Sequence, residues 1–338
     1  MRWPLIFTGL GLLLAFAIGW KMLGSFAGGV QFFLIASVLA ILEISLSFDN
    51  AIVNAAKLKT MTPLWQKRFL TWGILIAVFG MRILFPLMVV SVAAHVSPLM
   101  ALEIAILDPA RYSALIHDAH LPIAAFGGTF LMMVALSYFM DTEKDIHWIS
   151  PVEKCFCSCA GVRGFQIGAV ALAVVIFAFA IGGHEAIRFL KAAGLGLVTY
   201  VAVEQLGNVL DRKAASGAVA KGAFGAFLYL EVLDASFSFD GVIGAFALTQ
   251  NLFLIAIGLG IGALYVRSMT IMLVERETLA EFRYLEHGAF YSILVLSFIM
   301  FAQVLMPVPE VITGTLGAGF ILLSLFASMR YRKRKALE

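Results

Sequence analysis

Long runs of hydrophobic residues dominate the chain, and short polar segments separate them. A lipid bilayer has a hydrocarbon core of roughly 30 Å, which an α-helix of about 20 apolar residues crosses. The pattern therefore predicts an all-α polytopic membrane helix bundle of about ten transmembrane helices, forming a single membrane domain over residues 1–338. The predicted spans are 4–27, 31–56, 69–96, 121–140, 166–183, 192–210, 222–249, 252–274, 287–306 and 311–329.

Composition excludes the common classes of soluble protein. Of 338 residues, 62% are hydrophobic and only 13% are charged, and the mean hydropathy is +0.97. The net charge of +3 is too small to indicate binding to nucleic acid. The three cysteines, Cys155, Cys157 and Cys159, fall in one short segment and cannot form a disulfide framework. We expect them to be reduced thiols on the cytoplasmic side.

Basic residues predict the orientation of the chain. Lys and Arg are concentrated in the 57–68 segment, in the 141–165 loop and in the basic tail 330–338, which are cytoplasmic if the N-terminus is cytoplasmic. The 97–120 segment carries few basic residues and is expected to face outward. Since cytoplasmic loops are enriched in Lys and Arg, both termini are predicted to be cytoplasmic. The spans between them are predicted to contact the lipid of a bacterial inner membrane. The sequence does not determine the oligomeric state, and a homo-oligomer remains open.

Two similar motifs lie inside apolar spans. The segment Leu42-Glu-Ile-Ser-Leu-Ser-Phe-Asp49 aligns without gaps to Leu233-Asp-Ala-Ser-Phe-Ser-Phe-Asp240. The predicted spans that contain them run in opposite directions, so the motifs indicate an inverted repeat of residues 31–140 and 222–306. Many secondary transporters have this architecture, with binding sites near the bilayer midplane.

The carboxylates at membrane depth are the strongest functional signal. Each costs about 2.5–3.5 kcal/mol to insert at the centre of a transmembrane helix. Two basic residues in mid-span, Arg82 and Arg267, are predicted to serve as internal counter-cations, but two cannot neutralise five acids. Static ion pairs and a bound cation both remain open. The five acids are Glu43, Asp49, Glu231, Asp234 and Asp240.

Serines in the two motifs add oxygen ligands at helical spacing. The first serine of each motif precedes the aspartate by four residues, which places both on one helix face. A regular helix cannot aim the whole acidic set at one point, so we expect each motif helix to be broken near its second serine. Carboxylate, hydroxyl and carbonyl oxygens suit hard cations such as Mn²⁺, Mg²⁺ or Ca²⁺. The supporting hydroxyls are those of Ser45, Ser47, Ser236 and Ser238.

Glycines recur at short spacing in the predicted span 252–274. Gly258, Gly260 and Gly262 are the clearest set. Glycine in a membrane helix lets a neighbouring helix approach closely, so we interpret this stretch as a packing surface and not as a phosphate-binding loop.

The two motifs resemble the signatures of the TerC family of integral membrane proteins, which read Glu-x-x-Leu-Ser-x-Asp-Asn and Asp-x-x-Phe-Ser-x-Asp-Ser. The resemblance implies a LysE-like fold, Mn²⁺ export and a link to tellurite resistance. Gly241 replaces the final serine of the second signature. Glu231 matches family members that carry a glutamate three residues before the first aspartate of that signature, which is Asp234 here. By position, the resemblance implies that the metal ligands are Glu43, Asp49, Asn50, Asp234 and Asp240.

Together, these features favour a divalent cation exporter that works by alternating access, with Mn²⁺ as its substrate and no permanently bound cofactor. The chain is not expected to be an enzyme. One alternative is an intramembrane aspartyl enzyme that uses Asp49 and Asp240 as a shared-proton pair. Another is a membrane scaffold without transport activity, linked to metal or tellurite stress.

Overall fold

The structure is a computed structural model that describes residues 2–59, 61–93, 95–142, 144–159, 164–215, 224–276 and 281–335. Within these ranges the chain forms helices and connecting turns, and it contains no β-strand. The prediction of an all-α polytopic bundle is confirmed.

The helices up to residue 139 are mostly short. The first two, α1 and α2, are joined at Gly24, whose φ of 62° lies in the left-handed region that glycine adopts readily. Between α4 and α5 the backbone is π-helical over Ile76–Leu84. The helices are α1 (Arg2–Leu23), α2 (Phe26–Leu46), α3 (Phe48–Lys59), α4 (Pro63–Leu75), α5 (Phe85–Ala93), α6 (Pro98–Leu107), α7 (Pro109–Asp118) and α8 (His120–Phe139).

The remaining helices are longer, apart from one in the loop after α8. They are α9 (Ser150–Cys159), α10 (Phe165–Ile181), α11 (Gly183–Ala215), α12 (Phe224–Leu248), α13 (Leu252–Glu275), α14 (Leu285–Gln303) and α15 (Glu310–Lys335). A pair of glycines with positive φ, Gly182 and Gly183, separates α10 from α11.

Seven helices in the described ranges are long and apolar enough to cross a membrane, and shorter apolar helices accompany them. Their outward faces are apolar, as lipid requires. On α10, for example, Leu172, Ile176 and Phe179 share one face and are 62%, 58% and 84% exposed. A water-soluble helix would carry polar side chains there. The chain is therefore an integral membrane protein.

The chain divides into two compact units. Unit 1 comprises residues 1–48, 67–120 and 237–271. Unit 2 comprises residues 49–66, 121–236 and 272–338. The inverted repeat of 31–140 and 222–306 stays a prediction, because no comparison of the two segments tests it.

Close helix packing in unit 1 depends on glycine. A methyl group at Gly29 of α2 would lie 2.7 Å from the ring of Phe16 on α1. One at Gly258 of α13 would lie 2.5 Å from Cβ of Leu39 on α2. Such separations are far below van der Waals contact, so larger residues would force the helices apart. The predicted packing role of Gly258 is confirmed.

Unit 2 uses the same device between α8, α14 and α15. A methyl group at Gly127 or Gly128 of α8 would come within 2.8 or 2.7 Å of Met300 or Phe301 on α14. Gly288 of α14 lies directly against the hydroxyl of Ser324 on α15. These three contacts hold α14 between its neighbours.

Three details differ from the sequence-based predictions. The segment 97–120, predicted as an outward-facing polar loop, forms α6 and α7, which begin at Pro98 and Pro109 after side-chain caps by Ser97 and Asp108. The predicted spans 166–183 and 192–210 are separated at Gly182 only, and the second helix already begins at Gly183. The second motif helix is not broken near its second serine, since α12 continues to Leu248.

Candidate functional site

A helix break positions the first motif. α2 ends at Leu46 and α3 begins at Phe48, with Ser47 between them at φ −103° and ψ 17°. The backbone N–H of Ser47 still donates to the carbonyl of Glu43, so the break involves one residue only. The interruption predicted near Ser47 is confirmed. It places Glu43 in unit 1 and Asp49 in unit 2.

In unit 1, Glu43 forms a buried ion pair with Arg82. Arg82 Nη2 lies 2.5 Å from Glu43 Oε1, and the two residues are only 6% and 3% exposed. The hydroxyl of Ser47 donates to the same carboxylate oxygen at 3.3 Å. Arg82 lies in the π-helical segment, where the wider turn alters the direction in which side chains project. The predicted counter-cation role of Arg82 thus has a specific partner.

Two glycines make room for this carboxylate. A methyl group at Gly241 of α12 would lie 2.8 Å from Glu43 Oε2. Gly262 of α13 lies directly against Cβ and Cγ of Glu43, without space for any side chain. The Gly241 that departs from the TerC signature therefore borders the Glu43 carboxylate. Ser238 is three residues before Gly241 on α12, and its buried hydroxyl has no hydrogen-bond partner among the described residues.

Two other predicted residues of unit 1 lie elsewhere. Arg267 donates from Nη2 to the carbonyl of Phe69 at 2.7 Å, and its guanidinium stacks over the Phe69 ring at 3.7 Å. Ser45 is exposed and donates to the Ile41 carbonyl of its own helix. Ser45 and Asp49, which were predicted to share a helix face, belong to different helices, α2 and α3.

In unit 2, neutral groups surround Asp49. The hydroxyl of Ser292 on α14 donates to Asp49 Oδ2 at 2.7 Å, and the backbone N–H of Asn50 donates to Oδ1 at 2.8 Å. Gly317 of α15 leaves space beside this pair, since a methyl group there would lie 2.8 Å from Ser292 Oγ. Asp49 itself is 5% exposed. The hydrogen bonds described for this carboxylate come from uncharged donors.

A second aspartate of unit 2 has a similar partner. Asn54 of α3 donates from Nδ2 to Asp234 Oδ1 on α12 at 2.9 Å. The side-chain oxygens of Asn50 and Asn54 are buried and accept no hydrogen bond from the described residues. These two asparagines are four residues apart and share a face of α3. The pair therefore presents two amide oxygens that a cation could coordinate.

The other predicted residues of the second motif have no described side-chain hydrogen bond to Asp49 or Asp234. Glu231 is buried at 7% exposure in the same helix segment as Asp234, and Ser236 donates to the Val232 carbonyl. The side chain of Asp240 lies outside the described part of the structure. In that part, no group of three or more His, Cys, Asp or Glu residues is close enough together to hold a metal ion. Any cation site in the described residues must therefore include amide, hydroxyl or backbone oxygens.

Sequence analysis missed a buried carboxylate in the loop after α8. Glu153 of α9 is 0% exposed and belongs to unit 2. Its Oε2 lies 3.1 Å from Lys144 Nζ and 3.2 Å from His147 Nδ1. Its Oε1 accepts hydrogen bonds from the backbone N–H groups of Trp148 and Ile149, both at 3.1 Å. Glu153 thus anchors the loop from which it comes.

The same carboxylate reaches α14. Tyr291 donates its phenol hydrogen to Glu153 Oε1 at 3.3 Å, and His287 Nε2 lies 3.5 Å from Oε2. Burial opposes the charge on Glu153, but the Ile149 N–H and the nearby His287 and Lys144 outweigh it and lower the pKa of Glu153 below its ordinary value. The apolar pattern of the sequence does not predict this network, because its residues come from the polar segment after α8. The cysteines of α9 are free thiols, as predicted.

Comparison with known proteins identifies the family. Residues 48–335 match the family described as "Protein of unknown function (DUF475)". The chain belongs to the DUF475 family. Neither the curated proteins nor the solved structures gave a match.

The DUF475 match begins at Phe48, one residue before Asp49, and continues to Lys335, the last residue of α15. It therefore contains both aspartates of the unit 2 cluster, Arg82 and the Glu153 network. Glu43 precedes it by five residues. The DUF475 description supplies no activity, so a function for these residues must be argued from their chemistry.

Proposed function

We propose that this DUF475 protein exports a divalent metal cation, with Mn²⁺ as the favoured substrate, by alternating access. The observation that carries the proposal is the buried cluster of unit 2. Asp49 and Asp234 have neutral hydrogen-bond donors in Ser292 and Asn54. Two buried amide oxygens on the same helix as Asp49 accept no hydrogen bond from the described residues.

Electrostatics supports a cation as the missing partner. A buried carboxylate needs a counter-charge or a proton, because isolated burial of the charge costs several kcal/mol. Hydroxyl and amide donors orient the Asp49 and Asp234 carboxylates, but they do not cancel their charge. Carboxylate and amide oxygens are hard ligands that suit Mn²⁺, Mg²⁺ and Ca²⁺ better than soft metals. Proton occupancy is the competing possibility, and metal titration distinguishes the two.

The choice of Mn²⁺ and the direction of transport rest on the TerC-like motifs. The second signature aligns with Asp234 and Asp240, and the first with Glu43, Asp49 and Asn50. We propose on this basis that DUF475 and TerC proteins are related in function. Since the described residues contain no ready-made group of three acidic, His or Cys ligands, we propose that the metal is held transiently during transport and is not a resident cofactor.

Flux measurements test the proposal. Purified protein in liposomes that contain a Mn²⁺-sensitive dye should transport Mn²⁺, and Asp49→Asn and Asp234→Asn should each lower the flux about tenfold or more, because a charged ligand is lost. Glu185→Gln is the matched control, since Glu185 is an exposed carboxylate on α11 whose described partner is Arg188. Wild-type flux in both aspartate variants at equal incorporation would refute the proposal.

Orientation is a separate part of the proposal. We propose that both termini are cytoplasmic, as the distribution of Lys and Arg predicts. Replacing Cys155, Cys157 and Cys159 gives a background for a single cysteine at Thr62. In intact cells, an impermeant thiol reagent should leave a cysteine at position 62 unmodified. Modification from outside would reverse the topology and the direction of export.

A further inference from the structure

A cavity of about 660 Å³ lies in unit 2 at one end of its membrane helices. Its lining comes from the end of α8 and the segment that follows it, from the start of α14 and from the last turns of α15. These positions are the ends of three candidate membrane spans, so the cavity is at the level of the lipid headgroups. Tyr138 and Tyr331 line it, and tyrosine is enriched at this depth.

The charges in the lining are balanced. Among the described residues of the lining, four basic side chains are matched by four acidic ones, and some of the basic groups are already engaged. Lys144 pairs with Glu153 at 3.1 Å, and Arg332 pairs with Glu281. The carboxylates that remain, among them Asp145 and Glu286, would repel a ligand that carries only negative charge. The remaining basic groups would repel a ligand that carries only positive charge.

Arg283 is the most specific element of the cavity. Its Nη1 donates to the phenol oxygen of Tyr331 at 3.1 Å, and its guanidinium stacks at 4.8 Å from the centre of that ring. Its Nε is buried and has no hydrogen-bond partner among the described residues. A guanidinium that a neighbouring ring holds in place, with a donor unused, suits a phosphate oxygen.

We propose that this cavity binds a phosphoethanolamine group, with its phosphate on Arg283 and Lys335 and its ammonium on Glu286 and Asp145. A ligand that carries both charges fits the balanced lining, and it would satisfy the Arg283 Nε donor. The position at the helix ends favours a phosphatidylethanolamine of the bilayer over a soluble molecule with the same group. This site is independent of the proposed cation transport.

Lipid retention measures the site directly. The full chain is placed in nanodiscs that contain equal amounts of phosphatidylethanolamine, phosphatidylglycerol and phosphatidylcholine, and the lipids that remain bound are measured by native mass spectrometry. Wild-type protein should retain phosphatidylethanolamine preferentially. Arg283→Gln should lower that retention about tenfold, as expected for the loss of one charged hydrogen bond. Glu286→Gln should reduce the preference over phosphatidylcholine, whose ammonium cannot donate hydrogen bonds.

Matched variants separate binding from folding. Arg283→Lys keeps the positive charge and removes Nε, so its retention should lie between wild type and Arg283→Gln. Arg188→Gln removes an exposed arginine of α11, outside the cavity, and should leave retention unchanged. Equal retention of the three lipids by wild type, or wild-type retention in both Arg283 variants, would overturn the proposal. Displacement of the lipid by an equal concentration of glycerophosphoethanolamine would overturn the bilayer as the source.

Discussion

Two buried carboxylates of the first motif, six residues apart, have opposite electrostatic environments. In unit 1, Glu43 is paired with a guanidinium at 2.5 Å. In unit 2, Asp49 accepts hydrogen bonds from the hydroxyl of Ser292 and the N–H of Asn50, which carry no charge. Two acids of one motif can therefore have different electrostatic partners. A paired carboxylate is suited to stabilise helix packing, whereas a buried one with neutral partners still needs a counter-charge or a proton.

The largest expected effect comes from removing the counter-charge in unit 1. Arg82→Gln leaves the Glu43 carboxylate buried without its cation, which should lower the free energy of unfolding by about 3–5 kcal/mol. Denaturation in detergent measures it. The double variant Arg82→Gln with Glu43→Gln should recover part of the loss, because no isolated charge remains. A double variant that is no more stable than Arg82→Gln would contradict an ion pair and weaken the comparison.

The second largest effect is expected for Glu153, a buried carboxylate of unit 2 that is paired with Lys144. Glu153→Gln should lower the free energy of unfolding by about 2–3 kcal/mol near neutral pH, since hydrogen bonds to a charged group are lost. The pKa of Glu153 is lowered in the folded state. Its contribution is therefore present above the unfolded value of about 4.5 and is lost as the pH falls below it.

Unfolding measured across this pH range checks the sign. The stability difference between wild type and Glu153→Gln should shrink as the pH falls through 4.5. Other carboxylates titrate in the same range, but they are common to both proteins. A difference that stays constant or grows on acidification would contradict the role assigned to the charge of Glu153.

A smaller effect is expected from filling the space beside Glu43. Gly262→Ala places a methyl group against Cβ and Cγ of Glu43 and should cost about 2 kcal/mol through overpacking. Gly9→Ala is the control, because the space around Gly9 is open and alanine favours the helix. If the two variants have equal stability, Glu43 does not occupy the space that Gly262 leaves.

The smallest effect concerns the neutral partner of Asp49. Ser292→Ala removes one hydrogen bond to this carboxylate and should cost about 1 kcal/mol in the metal-free protein. Ser45→Ala should have almost no effect, since Ser45 is exposed and bonds only to its own helix.

If Mn²⁺ binds near Asp49, it should stabilise wild type more than Asp49→Asn. Equal stabilisation would place the cation elsewhere.

Much of the fold could be predicted from the long apolar runs of the sequence. Long spans such as His120–Phe139 and Leu285–Gln303 agree with the predicted spans to within three residues, because lipid requires uninterrupted apolar helices. Short helices were not. The 97–120 segment was expected to be a loop, but Pro98 and Pro109 begin helices there. Caps of this kind are local signals that a search for membrane spans overlooks.

The apolar runs of the sequence are enough to identify a polytopic helical membrane protein with acids inside its spans, because bilayer insertion requires long apolar helices. The sequence also indicated the helix break at Ser47. The partner of each acid follows from helix packing: Arg82 for Glu43, Ser292 for Asp49 and Asn54 for Asp234. These partners are 39, 243 and 180 residues away along the chain. Spacing along one helix cannot reveal them, since packing between helices sets such pairs.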